Sequence, residues 1–192
     1  MRALLVICVV FVGRLGSGGS ELLAAADAGA GKALSTLCAT CHDPAGEGIE
    51  AMNGPQLAGQ EEWYLKRQIK AFKDGVRGSD PRDVFGMQMR PMAMTLADDQ
   101  AVDNVVAYVL SFEPKRSTPT ISGDVAKGKA LYALCAACHG ANGEGMQALN
   151  GPAIAGQNDW YLVTQLNYYN CGARGSHPID LFGMQMRPMA MT

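Results

Sequence analysis

Two cysteines three positions apart, followed directly by a histidine, occur twice in the chain, at residues 38–42 and 135–139. This C-x-x-C-H pattern is typical of covalent c-type haem attachment, in which the thiols bind the haem and the histidine binds its iron. A zinc site would space its two C-x-x-C pairs about 15–20 residues apart, and a redox dithiol would need no histidine. The sequence therefore predicts two covalent haem groups, held by Cys38, Cys41, Cys135 and Cys138, with His42 and His139 as iron ligands.

The ligand on the other side of each iron is predicted to be methionine. The chain has three histidines, and the third, His177, aligns with Asp80 in the first copy. The two repeats therefore cannot both bind iron through two histidines. Residues 87–94 contain four methionines and recur as residues 184–191. Methionine is a common axial ligand of c-type haem, although most of these eight must fill gaps in a core. The residues alone do not fix the position within each run.

The chain is an internal duplication. A shift of 97 positions takes Cys38 onto Cys135, and residues 85–95 reappear unchanged as residues 182–192. We expect two domains of one fold, over residues 27–113 and 122–192. A segment rich in proline, serine and threonine, residues 114–121, is the predicted linker.

Helical patterns are predicted at the same places in both repeats. Each repeat opens with a helix that carries the haem cysteines at its end, with Asp124 as the N-cap in the second. Glycine-rich loops follow at residues 45–55 and 141–152. A second helix is expected over residues 62–73 and again over residues 159–170, capped there by Asn158. The methionine runs come after a further loop.

A third helix is predicted only in the first repeat, over residues 97–112. Residues 95–98 resemble a capping box in which Asp98 takes the acidic place. The second repeat stops at Thr192, the equivalent of Thr95, and so lacks this helix. We expect the chain to be a fragment of a longer product. The alternatives are that another chain supplies the helix or that the second site is incomplete.

Residues 1–26 have the pattern of a secretory signal peptide, with Arg2, a short apolar run and an Ala-Ala-Ala cleavage site. Removing them leaves 14 basic and 17 acidic residues, a charge of −3. This charge disfavours nucleic acid and anionic membranes as partners, and it suits a partner with a basic patch.

The duplicated C-x-x-C-H, the Pro-x-Leu/Ile-Ala-Gly-Gln stretch, the Trp-Tyr-Leu helix and the Met-Arg-Pro-Met-Ala run resemble the dihaem cytochrome c4 family. The resemblance covers nearly all of residues 27–192. It implies an all-α fold of two tandem class I cytochrome c domains, the second without its last helix. It also implies attachment of haem outside the cytoplasm, here in the periplasm.

The resemblance also suggests individual roles. Matching the family's ligand spacing gives Met89 and Met186 as axial ligands, with Met92 and Met189 as the alternatives. In class I cytochromes c a proline carbonyl accepts a hydrogen bond from the ligating histidine, and Pro55 and Pro152 are the matching positions, each of which is alternatively an ordinary turn proline. Candidate partners of the haem propionates, each of which is alternatively an ordinary core or surface residue, are Trp63, Tyr64, Arg77, Arg90, Trp160, Tyr161, Arg174 and Arg187.

The implied function is an electron carrier rather than an enzyme. The family suggests transient redox partners, a quinol-oxidising complex as donor and a terminal oxidase as acceptor, with no nucleic acid and no membrane insertion of the mature chain. One alternative is the dihaem subunit of a flavin-containing sulfide dehydrogenase. Another is a dihaem enzyme that oxidises a sulfur compound at an open iron or at Cys171, which is otherwise a surface thiol.

Overall fold

The computed structural model describes residues 25–192, where all regular structure is helical and no strand is present. The first half contains five α-helices: α1 (Ala28–Leu34), α2 (Ala39–His42), α3 (Glu62–Lys73), α4 (Val84–Met94) and α5 (Asp99–Val109). The second half contains three: α6 (Val125–His139), α7 (Asp159–Cys171) and α8 (Leu181–Ala190). The predicted all-α fold is confirmed, whereas the signal peptide falls almost wholly outside the described residues. No helix in this range combines the length and the apolar character that crossing a membrane requires.

The helix that carries the first pair of cysteines is broken, which the sequence did not predict. In the first repeat α1 ends at Leu34 and α2 begins at Ala39, whereas α6 runs unbroken to His139. The hydroxyl of Ser35 donates to the carbonyl of Lys32 (3.0 Å), and that of Thr36 donates to the carbonyl of Ala33 (3.1 Å). Such local bonds compete with the helical backbone ladder. The second repeat has tyrosine and alanine at these two places and keeps its helix.

The second helix of each repeat lies where its periodicity predicts, and α7 extends one residue beyond the predicted end. Asn158 precedes α7, but its side chain makes no capping bond. Its Oδ1 instead accepts a hydrogen bond from the backbone N–H of Gln56 in the other repeat (2.7 Å). The predicted cap is therefore a contact between the two halves of the molecule.

Helix α5 is shorter than predicted and is capped differently. It begins at Asp99, and the carboxylate of Asp98 accepts a hydrogen bond from the N–H of Ala101 (2.8 Å). The hydroxyl of Thr95 donates backwards to the carbonyl of Met92 (2.7 Å). The capping-box interpretation is wrong, because Asp98 is itself the N-cap and Thr95 ends the preceding helix.

The apolar core of the first half is built around α5. Its buried members are Leu65, Leu96, Val102, Val105, Val106 and Val109. Helix α1 crosses α5 so closely that a Cβ on Gly31 would lie 1.9 Å from the carbonyl oxygen of Asn104. No counterpart of α5 exists among the described residues of the second half, where α6 has no buried residue and Leu131 is 68% exposed.

The two halves face each other through matched contacts. The backbone of Gln56 and that of its repeat equivalent, Ala153, each bind a side chain of the opposite half. Glu61 Oε1 accepts from the N–H of Ala153 (3.1 Å), as Asn158 accepts from that of Gln56. The side-chain amide of Gln60 donates to the carbonyl of Ala153 (3.2 Å), and that of Gln157 donates to the carbonyl of Gln56 (3.0 Å). Since these contacts correspond under the 97-residue shift, the halves are related by an approximate twofold axis.

Candidate functional site

Both predicted ligand histidines are fixed by a proline carbonyl. His42 Nδ1–H donates to the carbonyl oxygen of Pro55 (2.8 Å), and His139 Nδ1–H donates to that of Pro152 (2.7 Å). A bond to Nδ1 fixes the tautomer and leaves Nε2 as the acceptor nitrogen that can bind a metal. The same arrangement in both repeats is therefore suited to two identical iron ligands.

A glycine before each proline brings the carbonyl within reach. A Cβ on Gly54 would lie 1.9 Å from the carbonyl oxygen of Cys41, and one on Gly151 would lie equally close to that of Cys138. The loop thus passes in backbone contact with the C-x-x-C-H segment, which a larger residue would prevent. The Gly-Pro pair holds the loop where its carbonyl meets the imidazole.

Burial further prepares the first histidine for metal binding. His42 is buried, and this burial lowers the pKa of its imidazole, although the bond to Pro55 acts in the opposite direction. A neutral imidazole is the form that ligates iron. His139 is only half-buried, because the second half lacks a covering helix among the described residues.

A cavity of about 770 Å³ extends across both halves of the molecule and is lined mainly by apolar atoms. All four predicted attachment cysteines and both histidines line it. Four methionines of the two methionine runs also line it, namely Met89, Met92, Met186 and Met189. The fold therefore gathers every predicted donor around one continuous space with two equivalent ends.

The methionine runs are helical, and this geometry selects among their eight members. Met89 and Met92 lie three residues apart on α4, which places them on the same face. Met87 and Met94 do not line the cavity, and both are about half exposed. The same selection holds on α8. Each cavity end is left with two candidate ligands instead of four.

A buried aspartate that sequence reasoning missed sets the position of the first methionine helix. Asp83 is 0% exposed, and its carboxylate accepts hydrogen bonds from the N–H groups of Gly86 (2.9 Å) and Gly78 (3.1 Å). It thereby caps α4 and ties it to the turn that follows Arg77. Asp180 caps α8 in the same way through Gly183 (2.9 Å). The signal available was the Asp-x-Phe-Gly pattern that occurs in both repeats.

The candidate propionate partners divide into two groups. Tyr64 and Tyr161 line the cavity, as do Arg77 and Arg174. The remaining four do not line it: Trp63, Arg90, Trp160 and Arg187. Burial, the largest cause, raises the pKa of the Tyr64 hydroxyl to about 12, so it stays a neutral hydrogen-bonding group.

Cys171 and His177 lie outside the cavity. The thiol of Cys171 is exposed at the end of α7 and donates weakly to the carbonyl of Tyr168 (3.6 Å). His177 Nδ1 accepts a long bond from the N–H of Ile179 (3.4 Å). Neither residue is placed to ligate an iron in this cavity.

The residues present fit two covalently attached haems. Each end of the cavity has two cysteines, a histidine with a fixed tautomer and two methionines, and the walls are apolar. Four arginine Nε–H groups are buried without a hydrogen-bond partner among the described residues, and two of them, those of Arg77 and Arg174, belong to side chains that line the cavity. Such orphaned donors are uncommon in native proteins, and the carboxylates of a haem in the cavity would satisfy these two.

Fold and site together define a tandem c-type cytochrome, and comparison with known proteins agrees. The sequence model of the cytochrome c family matches residues 28–113 and 125–192. Cytochrome c4 of Azotobacter vinelandii is 34% identical over 180 residues, covering 87% of this chain and 82% of the relative. The chain belongs to the cytochrome c4 family, and it is an electron carrier with two covalently bound haem c groups.

Two further relatives are informative. The thiosulfate dehydrogenase electron acceptor of Stutzerimonas stutzeri is 34% identical over 174 residues, covering 84% of this chain and 76% of the relative. Reduced recombinant cytochrome c4 from Pseudomonas stutzeri has a similar structure, with a TM-score of 0.64 and 27% identity. That likeness covers 86% of this chain and 90% of the other.

Proposed function

We propose that the protein carries single electrons in the periplasm between a quinol-oxidising complex and a terminal oxidase, and that it catalyses no reaction of its own. The single observation that carries this proposal is the identical donor set at the two cavity ends, with a histidine and methionines at each. An iron bound by both ligand types has no open coordination position for a substrate. Electron transfer then takes place through the haem edge.

In this proposal Cys38 and Cys41 bind the first haem, and Cys135 and Cys138 bind the second. His42 and His139 are the proximal ligands, oriented by the carbonyls of the prolines that follow the close-approach glycines. Met89 and Met186 are the distal ligands, and Met92 and Met189 are the alternatives on the same helix faces. The bound haem supplies one-electron redox chemistry, while the chain excludes water and sets the potential through ligand type and burial.

A partner with a basic docking surface suits the charge of the mature chain, −3 without residues 1–26. Carriers of this kind bind their partners through small, transient interfaces. Electrostatic attraction between such surfaces raises the association rate more than the affinity.

A second candidate function is acceptance of electrons from an enzyme that oxidises a sulfur compound. The observation in its favour is the relative named as a thiosulfate dehydrogenase electron acceptor, as similar in sequence as the first cytochrome c4. The dihaem subunit of a flavin-containing sulfide dehydrogenase is a related possibility. Catalysis by this chain itself has less support, because Cys171 does not line the cavity.

The test begins with the purified mature protein. Its visible spectrum gives the number of haems per chain, and carbon monoxide is then added to the reduced form. We expect two haems and no spectral change with carbon monoxide. A change at one haem would contradict the closed-site proposal. Mixing the oxidised protein with a quinol-oxidising complex, and separately with a thiosulfate-oxidising enzyme, distinguishes the two donors by the rate of haem reduction.

A further inference from the structure

Two arginines meet at the approximate twofold axis between the halves. Arg77 donates to Oε1 of Gln68 (2.8 Å) and to Oε1 of Gln165 (3.3 Å). Arg174 donates to the same two oxygens in the reverse order, Gln165 (2.5 Å) and Gln68 (3.3 Å). The four residues are two equivalent pairs under the 97-residue shift. They therefore form one shared cluster, which we call the axial arginine cluster.

Each guanidinium of the axial arginine cluster also stacks on an aromatic ring of its own half. The Cζ atom of Arg77 lies 4.2 Å from the ring centroid of Phe72, and that of Arg174 lies 4.4 Å from that of Tyr169. These contacts and the glutamine bonds hold both planes in place. Both arginines are 6% exposed and line the cavity.

The cluster has two positive charges and no negative one. Within residues 25–192 neither arginine has a carboxylate within salt-bridge distance. Asp83, the fully buried acid, is occupied by backbone N–H groups. Both Nε–H groups lack a partner, as do those of Arg90 and Arg187 outside the cavity. Burying an unpaired charge is strongly unfavourable, so two cations that share one cavity wall without a carboxylate favour an anion from outside the chain.

We propose that the axial arginine cluster is a carboxylate-binding site that takes a propionate from each of the two haems and raises both reduction potentials. The inference rests on the proposed dihaem carrier and names the residues that tune it. Planar guanidinium groups bind carboxylates through paired hydrogen bonds. Arg90 and Arg187 do not line the cavity and have no part in this site.

The effect on potential follows from charge. Reduction lowers the net positive charge at the iron, so a fixed cation nearby favours the reduced state. In a buried site of low effective dielectric this attraction is weakly screened. Because both arginines share both glutamines, each cation acts on both haems.

The test compares Arg77→Gln and Arg174→Gln with Arg116→Gln, a control in the exposed linker. Spectroelectrochemistry of the holoprotein measures both potentials. We expect each interface variant to lower the potentials, with a redox equilibrium shift on the order of tenfold, equal to about 59 mV for a one-electron couple. The control should match the parent. Arg77→Lys, which keeps the charge, should retain most of the parent potential.

A second variant separates the effect of charge from the effect of misfolding. Gln68→Glu has nearly the same shape and places a carboxylate where both arginines already donate, so it should also lower both potentials. Variants that keep two closed haems with unchanged potentials would overturn this inference and leave the carrier proposal intact. A parent protein that binds carbon monoxide would instead count against the carrier proposal.

Discussion

At the scale of single residues, the cavity depends on two glycines as well as on the residues that can hold haem. Gly54 and Gly151 have no side chain, and this lets a loop touch the C-x-x-C-H segment and present the next carbonyl to an imidazole. The donor on the far side is selected by helix geometry. Of the four methionines on α4, the two that share the cavity face are candidates, and the choice between them is open to experiment.

Replacing Met89 with alanine should open one of the two irons, because Met89 is the proposed methionine ligand at that iron. We expect the reduced Met89→Ala variant to bind one carbon monoxide per chain and its potential at that haem to fall, since methionine ligation raises the potential. Visible spectra with and without carbon monoxide measure this. Met92→Ala is the matched control and should bind none. The reverse result would assign Met92 as the ligand.

At the scale of elements, the ends and crossings of the helices determine how each half is packed. Hydroxyl groups break the first cysteine helix, whereas the tyrosine and alanine of the second repeat leave α6 continuous. Helix α5 covers one face of the first half and supplies most of its core. The second half, as described, keeps the glycine for such a crossing, Gly128, but nothing lies within 4 Å of where its Cβ would be.

The cap of α5 can be tested directly. Asp98→Ala removes the carboxylate that accepts from Ala101, and an N-cap of this kind contributes about 1 kcal/mol. We expect the free energy of unfolding in denaturant to fall by about that amount. Thr95→Ala is the control and should change it by less than about 0.5 kcal/mol. Equal losses of unfolding free energy in the two variants would support the capping box instead.

The two equivalent glycines should respond in opposite directions. Gly31→Ala forces a Cβ against the backbone of Asn104 and should destabilise the protein by about 1–3 kcal/mol, the usual cost of overpacking. Gly128→Ala meets open space within a helix and should stabilise it by about 0.5–1 kcal/mol. Thermal unfolding of the two holoprotein variants gives both signs. A loss at both positions would show that the α6 face is also covered in solution.

At the scale of the whole molecule, the duplicated halves meet around the axial arginine cluster and the matched backbone contacts. A further link is asymmetric. Arg82 of the first half donates to the carbonyls of Cys171 (2.5 Å) and Gly172 (3.2 Å) at the end of α7. Asp80 holds the same guanidinium through two bonds (2.8 and 2.6 Å). The repeat equivalent of Asp80 is His177, so the second half cannot form the same ion pair.

The link between the halves should depend on pH. Hydrogen bonds from Arg82 lower the pKa of Asp80 from 3.8 to about 2. A depressed carboxyl pKa stabilises the folded state fully above 3.8, and that stabilisation disappears as the pH falls through about 2. We expect the stability difference between the parent and Asp80→Asn to be constant near pH 6 and to shrink as the pH falls from 3.8 through about 2.

Unfolding curves of the two proteins across this pH range give the measurement. Arg82→Gln should remove the same pH-dependent part, because it removes the donor that lowers the pKa. Parallel stability profiles for the parent and Asp80→Asn would contradict the assignment. The size of the effect is modest, since both side chains are partly exposed and salt screens such pairs.

Features that depend on local spacing can be predicted from the amino-acid sequence. Cofactor attachment follows from cysteines and histidine within five positions, because a single haem bridges them. A shift of 97 positions reveals the duplication, and the periodicity of two short stretches predicts α3 and α7. The prediction of methionine as the second ligand follows from the small number of histidines.

Other features depend on residues far apart in the chain and are visible only in the folded molecule. The tertiary structure reduced eight methionines to four and four candidate arginines to two, because each choice depends on which helix face meets the cavity. It also revealed Gln68 and Gln165, whose role exists only where the halves meet, and it converted Asn158 from a predicted cap into an interface contact. No local pattern contains these outcomes, since they arise when two copies of one fold pack against each other.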